Sequence, residues 1–487
     1  MRTKTLACSL LATLLAGGCS STMQPRSDGE QSGIAISAHS KPSSARNVIL
    51  FIGDGMSLDT VTAARILAGQ QRGGTGEEHV LAFETLPQTA LSKVYNTNQQ
   101  VPDSAGTATA MLSGHKTLAG VIGVDRSVVR ANCSTQKSAE VPSIVELAEQ
   151  QGIATGIVTT ARITHATPAA AYAHSADRGW ESNGKLPADA DGCTDIASQL
   201  VSFSQGDGID IALGGGWAEF VPESVGGKRT DGINLLSSWE AQDPVNHTVV
   251  NNRSSLAAAV DGRRNENRQI LGVFNKSHMS YEMDRKRAEV GEPSLTTMTL
   301  AAVKYLENKD SYFLLVEGGR IDHAHHMGNA ARALTETIEF SQAIEATLNA
   351  VSLDDTLIIV TADHGHTMSM GGYSTRGNPI LGKVIENGPD GRSTRTPALD
   401  INGQPYTSLS YANGPGYMAA KDRVMATTDT SDADFLQVAA VGLKYGETHS
   451  GTDVPVYSGG PGSQDVRGVM EQNKLFDIMA KALGLIK

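Results

Sequence analysis

Six short apolar runs recur along the chain, at 46–53, 153–159, 209–213, 270–274, 312–316 and 356–361. They lack the polar–apolar alternation of a half-exposed strand, and their length suits strands covered on both faces, as in a parallel sheet. Between them, 141–151, 194–204, 295–307 and 330–351 carry helical spacing, and 465–485 reads as a closing amphipathic helix. Strand and helix in alternation predict an α/β fold, three-layered and doubly wound, with a mostly parallel sheet and helices on both faces. Residues 374–425 interrupt the alternation with many Gly, Pro, Asn and Tyr, and read as an irregular insertion or small accessory domain.

The N-terminus belongs to a different kind of segment. Arg2 and Lys4 precede a short apolar run, and Gly17 and Gly18 lead into Cys19. This is an export signal over 1–18, too short to span a bilayer as a mature helix. A plain cleaved signal is one reading. The small residues before Cys19 resemble more closely a bacterial lipoprotein signal with Cys19 acylated, although Ala16 stands where leucine is commoner. Residues 19–45, rich in Ser, Gly and polar groups, read as a flexible tether, leaving 46–487 for the folded domain. Both readings place the protein outside the bacterial cytoplasm, in the periplasm or held to a membrane by lipid. Beyond Cys8 and Cys19 only Cys133 and Cys193 remain. In an oxidising compartment they are expected to pair, with two separate buried thiols as the alternative.

Composition adds two limits. With 40% hydrophobic and 19% charged residues, the chain can build a large core. A net charge of −12 argues against nucleic acid as the main partner. It does not exclude an anionic substrate, because bound metal ions can dominate the field at a site.

The candidate chemistry lies in three acidic–histidine clusters: Glu317-Gly-Gly-Arg-Ile-Asp322-His323-Ala-His325-His326, Asp363-His364-Gly-His366 and Glu447-Thr-His449. Six of the thirteen histidines follow Arg320, and all six fall in these clusters. Carboxylate with imidazole is the ligand set of an open, catalytic zinc site. Asp54, Glu317 and Asp363 each follow or close an apolar run, so one edge of a parallel sheet would gather them. Asp322 and His326, four apart, share a helical face. Alone, that pair is weak and could be a solvated ion pair. Ser104, in Pro102-Asp-Ser-Ala105 before a helical stretch, is a candidate nucleophile. By itself, Asp103 or Ser104 there would read as an N-cap.

Together these residues resemble the alkaline phosphatase family, its animal-type members more than the enteric bacterial type. The resemblance rests on Ile52-Gly-Asp-Gly-Met56, Pro102-Asp-Ser-Ala105, His165-Ala-Thr-Pro168, Tyr172-Ala-His174, Leu213-Gly-Gly-Gly216 and Val316-Glu-Gly-Gly-Arg-Ile-Asp-His323. Ala331 to Thr337, Gly371-Gly-Tyr373, Asn413 to Tyr417 and Glu447-Thr-His449 extend it across nearly all of 46–487. It implies an alkaline phosphatase-like fold and two zinc ions with one magnesium. Asp322, His326 and His449 would hold the first zinc, and Asp54, Asp363 and His364 the second. Asp54, Thr167 and Glu317 would hold magnesium, with His165 in its outer shell. Ser104 would be the nucleophile and Arg178 the phosphate clamp. His323 and His366 would orient ligands or phosphate, while His325 would pack or face solvent. Cys133 and Cys193 match a family disulfide. His79, His247 and His278 belong to no motif and read as structural or exposed.

The implied reaction is hydrolysis of phosphate monoesters at alkaline pH in two in-line steps through a phosphoserine. Phosphate scavenging is the implied purpose. Small phosphate monoesters are the expected partners, and the 374–425 segment resembles the family's dimer-interface insertion, implying a homodimer. Animal-type members also bind calcium. Asn275 and Lys286 stand here where acidic groups are expected, so calcium is not. The rivals are a phosphodiesterase of the same metal architecture, a sulfatase and a lipoprotein that only binds phosphate or metal. An arginine clamp at Arg178 favours monoesters over diesters. Ala105-Gly106 lacks the Pro and Arg expected after a sulfatase nucleophile, and the intact nucleophile argues against a mere binder.

Overall fold

The computed structural model describes residues 44–487 except 189, 191, 262–267, 289–290 and 419–423. The export signal, Cys19 and all but the last two tether residues lie outside the described residues. A ten-stranded sheet organises the fold: β1 (Asn47–Ile52), β2 (Gln88–Lys93), β3 (Ala154–Arg162), β4 (Ile211–Gly215) and β5 (His247–Val250), then β6 (Gln269–Val273), β7 (Tyr312–Glu317), β8 (Thr356–Thr361), β9 (Val454–Gly459) and β10 (Gly468–Glu471). Across the sheet their order is β10-β2-β9-β8-β1-β7-β3-β4-β6-β5. Every pairing is parallel except the two made by β9.

The central strands are buried along their whole length, and the side-chain period of two sends alternate residues into opposite layers. In β1, Ile49 and Phe51 join one core with Leu295, Met298, Leu334 and Ile344. Val48, Leu50 and Ile52 join the other with Met111, Ile144, Ile196 and Met479. Each layer is roofed by helices, giving the expected three-layer α/β arrangement. Among these helices are α1 (Leu58–Gln71), α2 (Ser104–Ser113), α3 (Arg320–His326), α4 (Ala330–Ala350) and α5 (Lys474–Ala482).

All six apolar runs contain strands, but the sequence reading misses others. β2 is half polar and lies near one edge of the sheet. β9 contains Pro455, which argues against an interior strand; it is nevertheless flanked on both sides. The closing helix expected over 465–485 is shorter. Gly468–Glu471 instead adds β10 beside β2, where the sheet edge offers its backbone groups partners, and α5 begins only at Lys474. Outside the main sheet, Met368–Met370, Leu409–Gly414 and Ala439–Gly442 form a small sheet, with a hairpin of Ile385–Asn387 and Ser393–Pro397. The irregular region therefore reaches beyond the expected 374–425. Cys133 and Cys193 form a disulfide. Both pack against a satellite core of Val121, Val124, Val128, Ala139, Ala176 and Trp180.

Register decides where the chemistry can gather. Ile52, the last residue of β1, lies opposite Glu317 on one side and Thr361 on the other, and Thr159 lies opposite Glu317. The strands β1, β7 and β8 therefore end level while β3 runs on to Arg162, and the loops after β1 and β8 start side by side.

The opposite edge holds Glu149, buried beside Asp210 at the foot of β3 and β4. Burial pushes its carboxyl up to about 9, against the hydrogen bond it accepts from Thr155, with Asp210 and Asp207 adding to the rise. The folded state thus keeps a proton that the unfolded chain releases near 4.5. Stability present below that value is lost as pH rises towards about 9. In Glu149→Gln the loss should disappear, so its melting-temperature advantage over wild type grows from pH 5 to pH 9, by up to a few kcal/mol in stability. An advantage that stays flat with pH would contradict a proton held at Glu149.

Candidate active site

Ser104 is the first residue of α2, and Asp103 is its N-cap. The Asp103 carboxylate accepts from Gly106 N at 3.1 Å and Gly120 N at 3.0 Å. Asp103 therefore does the capping, and the Ser104 hydroxyl remains directed at the strand ends. Its Oγ lies 3.1 Å from His364 Nε2 and 3.5 Å from Asp54 Oδ1. The same Asp103 carboxylate holds Arg178 Nη1 at 3.0 Å, so the cation stands one residue from the hydroxyl. Arg178 Nη2 reaches His165 Nε2 at 3.1 Å.

Asp54, Asp363 and His364 form one buried group. His364 Nε2 is 3.5 Å from Asp54 Oδ1 and 3.2 Å from Asp363 Oδ2, and all three side chains are fully buried. The β1 loop turns tightly here. Gly55 has φ +73°, and a Cβ on it would lie 2.4 Å from the His366 ring, so glycine is required twice over.

A second group surrounds Asp322, whose Oδ1 lies 2.7 Å from His366 Nε2 and 3.3 Å from both His326 Nε2 and His449 Nε2. The two imidazoles have fixed tautomers. His326 Nδ1 faces the Glu447 carbonyl at 2.6 Å and His449 Nδ1 faces the Pro102 carbonyl at 2.8 Å. A carbonyl only accepts, so each Nδ1 carries hydrogen and each Nε2 presents a lone pair. Those Nε2 atoms face each other at 3.0 Å. Two lone pairs so close repel unless a cation lies between them, and Asp322 points at the same place. The His449 ring also stacks on His364 at 3.6 Å, joining this group to the first.

A third group combines Asp54, Glu317 and His165, whose ligand atoms lie within 4.8 Å of one another. Thr167 belongs to the same neighbourhood, in a short helix capped by His165. Asp54 Oδ2, Glu317 Oε1, Thr167 Oγ1, Asp363 Oδ2 and the Nδ1 atoms of His165 and His364 are buried without a hydrogen-bond partner. Buried polar atoms rarely go unpaired, and six together make a donor set suited to cations.

Charge repeats the geometry. Burial drives Asp54 well above the carboxylate range, and Asp363, Asp322 and Glu317 add to it. Burial pushes Glu317 up to about 7, against the hydrogen bond from Thr159, with Asp363 and Asp322 raising it further. Burial also raises Asp363. Asp322 moves the other way. Burial would raise it, but the imidazoles of His326, His366 and His449 take it well below the usual range. Burial disfavours the His366 cation, yet Asp322 and Glu447 carry it up to about 9. Without other cations, three of these four carboxyls resist ionising together.

The structure thus gathers Ser104, Arg178, Asp54, Thr167, Glu317, Asp322, His326, Asp363, His364 and His449, with His165, His323 and His366, beyond the ends of the central strands, whereas Cys133 and Cys193 lie at the satellite core. His323 packs against His165 and His278, with centroids 5.4 and 4.0 Å away. His278 is consequently part of this wall, held also by Arg162, which no sequence motif signalled. His325 is buried and hydrogen-bonds Thr60 and Tyr411. Two roles escaped the sequence reading: the link from Asp103 to Arg178 and the carboxylate of Glu447, described below. Both acids stand inside the motifs, but no spacing rule reveals their long-range partners.

The family model for alkaline phosphatase matches residues 45–485. The tissue-nonspecific alkaline phosphatase of chicken (Gallus gallus) is 42% identical, over 97% of this chain and 93% of that protein. Among solved structures, the alkaline phosphatase of Thermus thermophilus superposes with TM-score 0.66 at 24% identity, covering 92% of this chain and 93% of that one. That of the Antarctic bacterium TAB5 gives 0.62 at 24%, covering 91% and 100%. These two share the fold. The family model's match along nearly the whole chain, with 42% identity to a relative covered almost end to end, makes this protein a member of the alkaline phosphatase family.

Proposed function

We propose that the protein hydrolyses phosphate monoesters through a phosphoserine at Ser104, in a site holding two zinc ions and one magnesium. One observation carries this reading: the Ser104 hydroxyl lies against buried carboxylates and imidazoles whose unpaired atoms and facing lone pairs require cations. Asp322, His326 and His449 hold the first zinc, and Asp54, Asp363 and His364 the second. Asp54, Glu317 and Thr167 hold magnesium, with His165 outside them. Mixed carboxylate and imidazole suit zinc, while an all-oxygen set suits magnesium. When bound, these ions supply Lewis-acid charge that makes an alkoxide accessible and neutralises the phosphoryl group.

Ser104 Oγ attacks phosphorus in line as the bond to the ester oxygen breaks; its proton passes to water on the side of His364 and Asp54, and the departing ester oxygen takes a proton from water and leaves as the alcohol. Water then attacks the phosphoserine from the vacated side, releasing phosphate and restoring the hydroxyl. Arg178 donates to two non-bridging oxygens throughout, held in place by Asp103. A transition state with spread charge needs positioning and electrostatics more than covalent help.

The clamp separates monoesters from the rival diesters, because a diester has one charge fewer and a bulky group where an oxygen should bind. With metal-loaded protein, kcat/KM should strongly favour a monoester over its matching diester. Arg178→Ala should lower the monoester value about 10²–10³-fold and the diester value less. A wild-type preference for the diester would overturn the substrate class.

Further parts of the reading are an alkaline working range, phosphate scavenging, and export with a lipid anchor at Cys19. No described helix is long and apolar enough to cross a membrane. Tyr373, Ile401 and Tyr445, exposed by 88%, 100% and 91% in and around the irregular region, support a homodimer that covers them. Calcium is not expected, because Asn275 and Lys286 stand where acidic groups would be needed.

A further inference from the structure

Asp322 and His326 stand on α3, whereas His449 stands on a loop more than a hundred residues later, so something must hold the two at fixed separation. Glu447, 2% exposed, touches both. Its backbone N–H donates to the His326 carbonyl at 2.8 Å, and its own carbonyl accepts from His326 Nδ1 at 2.6 Å. Its carboxylate works in the other direction. Oε2 meets His366 Nδ1 at 2.5 Å, and the far nitrogen of that ring meets Asp322 Oδ1 at 2.7 Å. Oε1 is itself fixed by the Thr367 N–H at 2.6 Å and the Thr367 hydroxyl at 2.5 Å. His449 is placed two residues on, paired across an antiparallel bridge with His366. The contact is built in on the backbone side as well. A Cβ on Gly414, at φ +136°, would lie 3.0 Å from the Glu447 Cβ.

We infer that Glu447 is the positioning residue of the first metal group, its carboxylate bracing Asp322 through His366 while its backbone orients His326 and its loop delivers His449. This rests on the reading that Asp322, His326 and His449 hold zinc. Glu447 touches no substrate atom; it acts through the ligands. Partners that orient ligands in this way commonly govern metal affinity by about 10–100-fold.

The consequence is selective. Glu447→Gln keeps the backbone contacts and the side-chain volume but removes the negative charge facing His366. One zinc equivalent should then be lost to a competing chelator at about 10–100-fold lower chelator concentration than in wild type, and the other should be unchanged. Thr367→Val, which removes the hydroxyl contact to Oε1 but keeps the backbone N–H there, should weaken the same equivalent by a smaller factor. Because the Ser104 side keeps its metal group, labelled phosphate should still attach to Ser104 in both variants. Zinc per chain, read by mass spectrometry along a chelator titration of folded protein, is the measurement. Equal loss of both equivalents, or no loss of either in both variants, would overturn the positioning role. Wild-type protein that retains no zinc at all would instead overturn the reading on which it rests.

Discussion

Ser104→Ala is expected to abolish the covalent phosphoenzyme and lower turnover by about 10⁴-fold or more. The substitution removes one oxygen from a position 3.1 Å from His364 Nε2 and leaves the carboxylates, imidazoles and Arg178 where they are. Asp103, not Ser104, caps α2, so the helix loses no cap and stability should barely change. Labelled substrate followed by acid quench and digestion reads the outcome directly. Wild type should carry label on the peptide containing Ser104, and the variant should carry none. Persistent covalent label in the variant would remove Ser104 from its proposed role. Loss of label together with loss of folding would contradict the capping assignment instead.

Metal removal should produce the second large effect. Asp54, Glu317 and Asp363 are fully buried, and the unpaired atoms of the site cluster among them. The His326 and His449 lone pairs meet at 3.0 Å. Cations bound there turn these repulsions into attraction, and they bind only the folded chain. At ligand concentrations about a thousandfold above Kd, binding of one ion adds roughly 4 kcal/mol. Exhaustive chelation should therefore eliminate turnover and also lower the melting temperature sharply, with both restored by zinc and magnesium together. Calorimetry on chelated and reloaded protein decides it. An unchanged melting temperature after verified metal loss would mean that the carboxylate cluster is not stabilised by cations.

Much of this was legible in the chain. The continuous apolar runs gave the buried parallel strands, because a strand covered on both faces has no polar side to show. β9 and β10 were not legible. Pro455 and Gly468 mark positions that local preference assigns to loops, and only neighbouring strands with free backbone groups make them sheet. The closing helix failed for the same reason, since Gly468–Glu471 gains more from pairing with β2 than from extending α5.

The site divides in the same way. Ligand types, the four-residue spacing of Asp322 and His326, and acids at the ends of apolar runs are local facts, and the sequence by itself determined them, together with the family they resemble. Which lone pair faces which was decided only by the tertiary structure. The Glu447 carbonyl fixes His326 and the Pro102 carbonyl fixes His449, across 121 and 347 residues. Asp103 holds Arg178 across 75. The physical reason is that residue chemistry is carried by each side chain alone, whereas tautomer, charge and orientation depend on partners that only the level ends of β1, β7 and β8 bring within hydrogen-bonding distance.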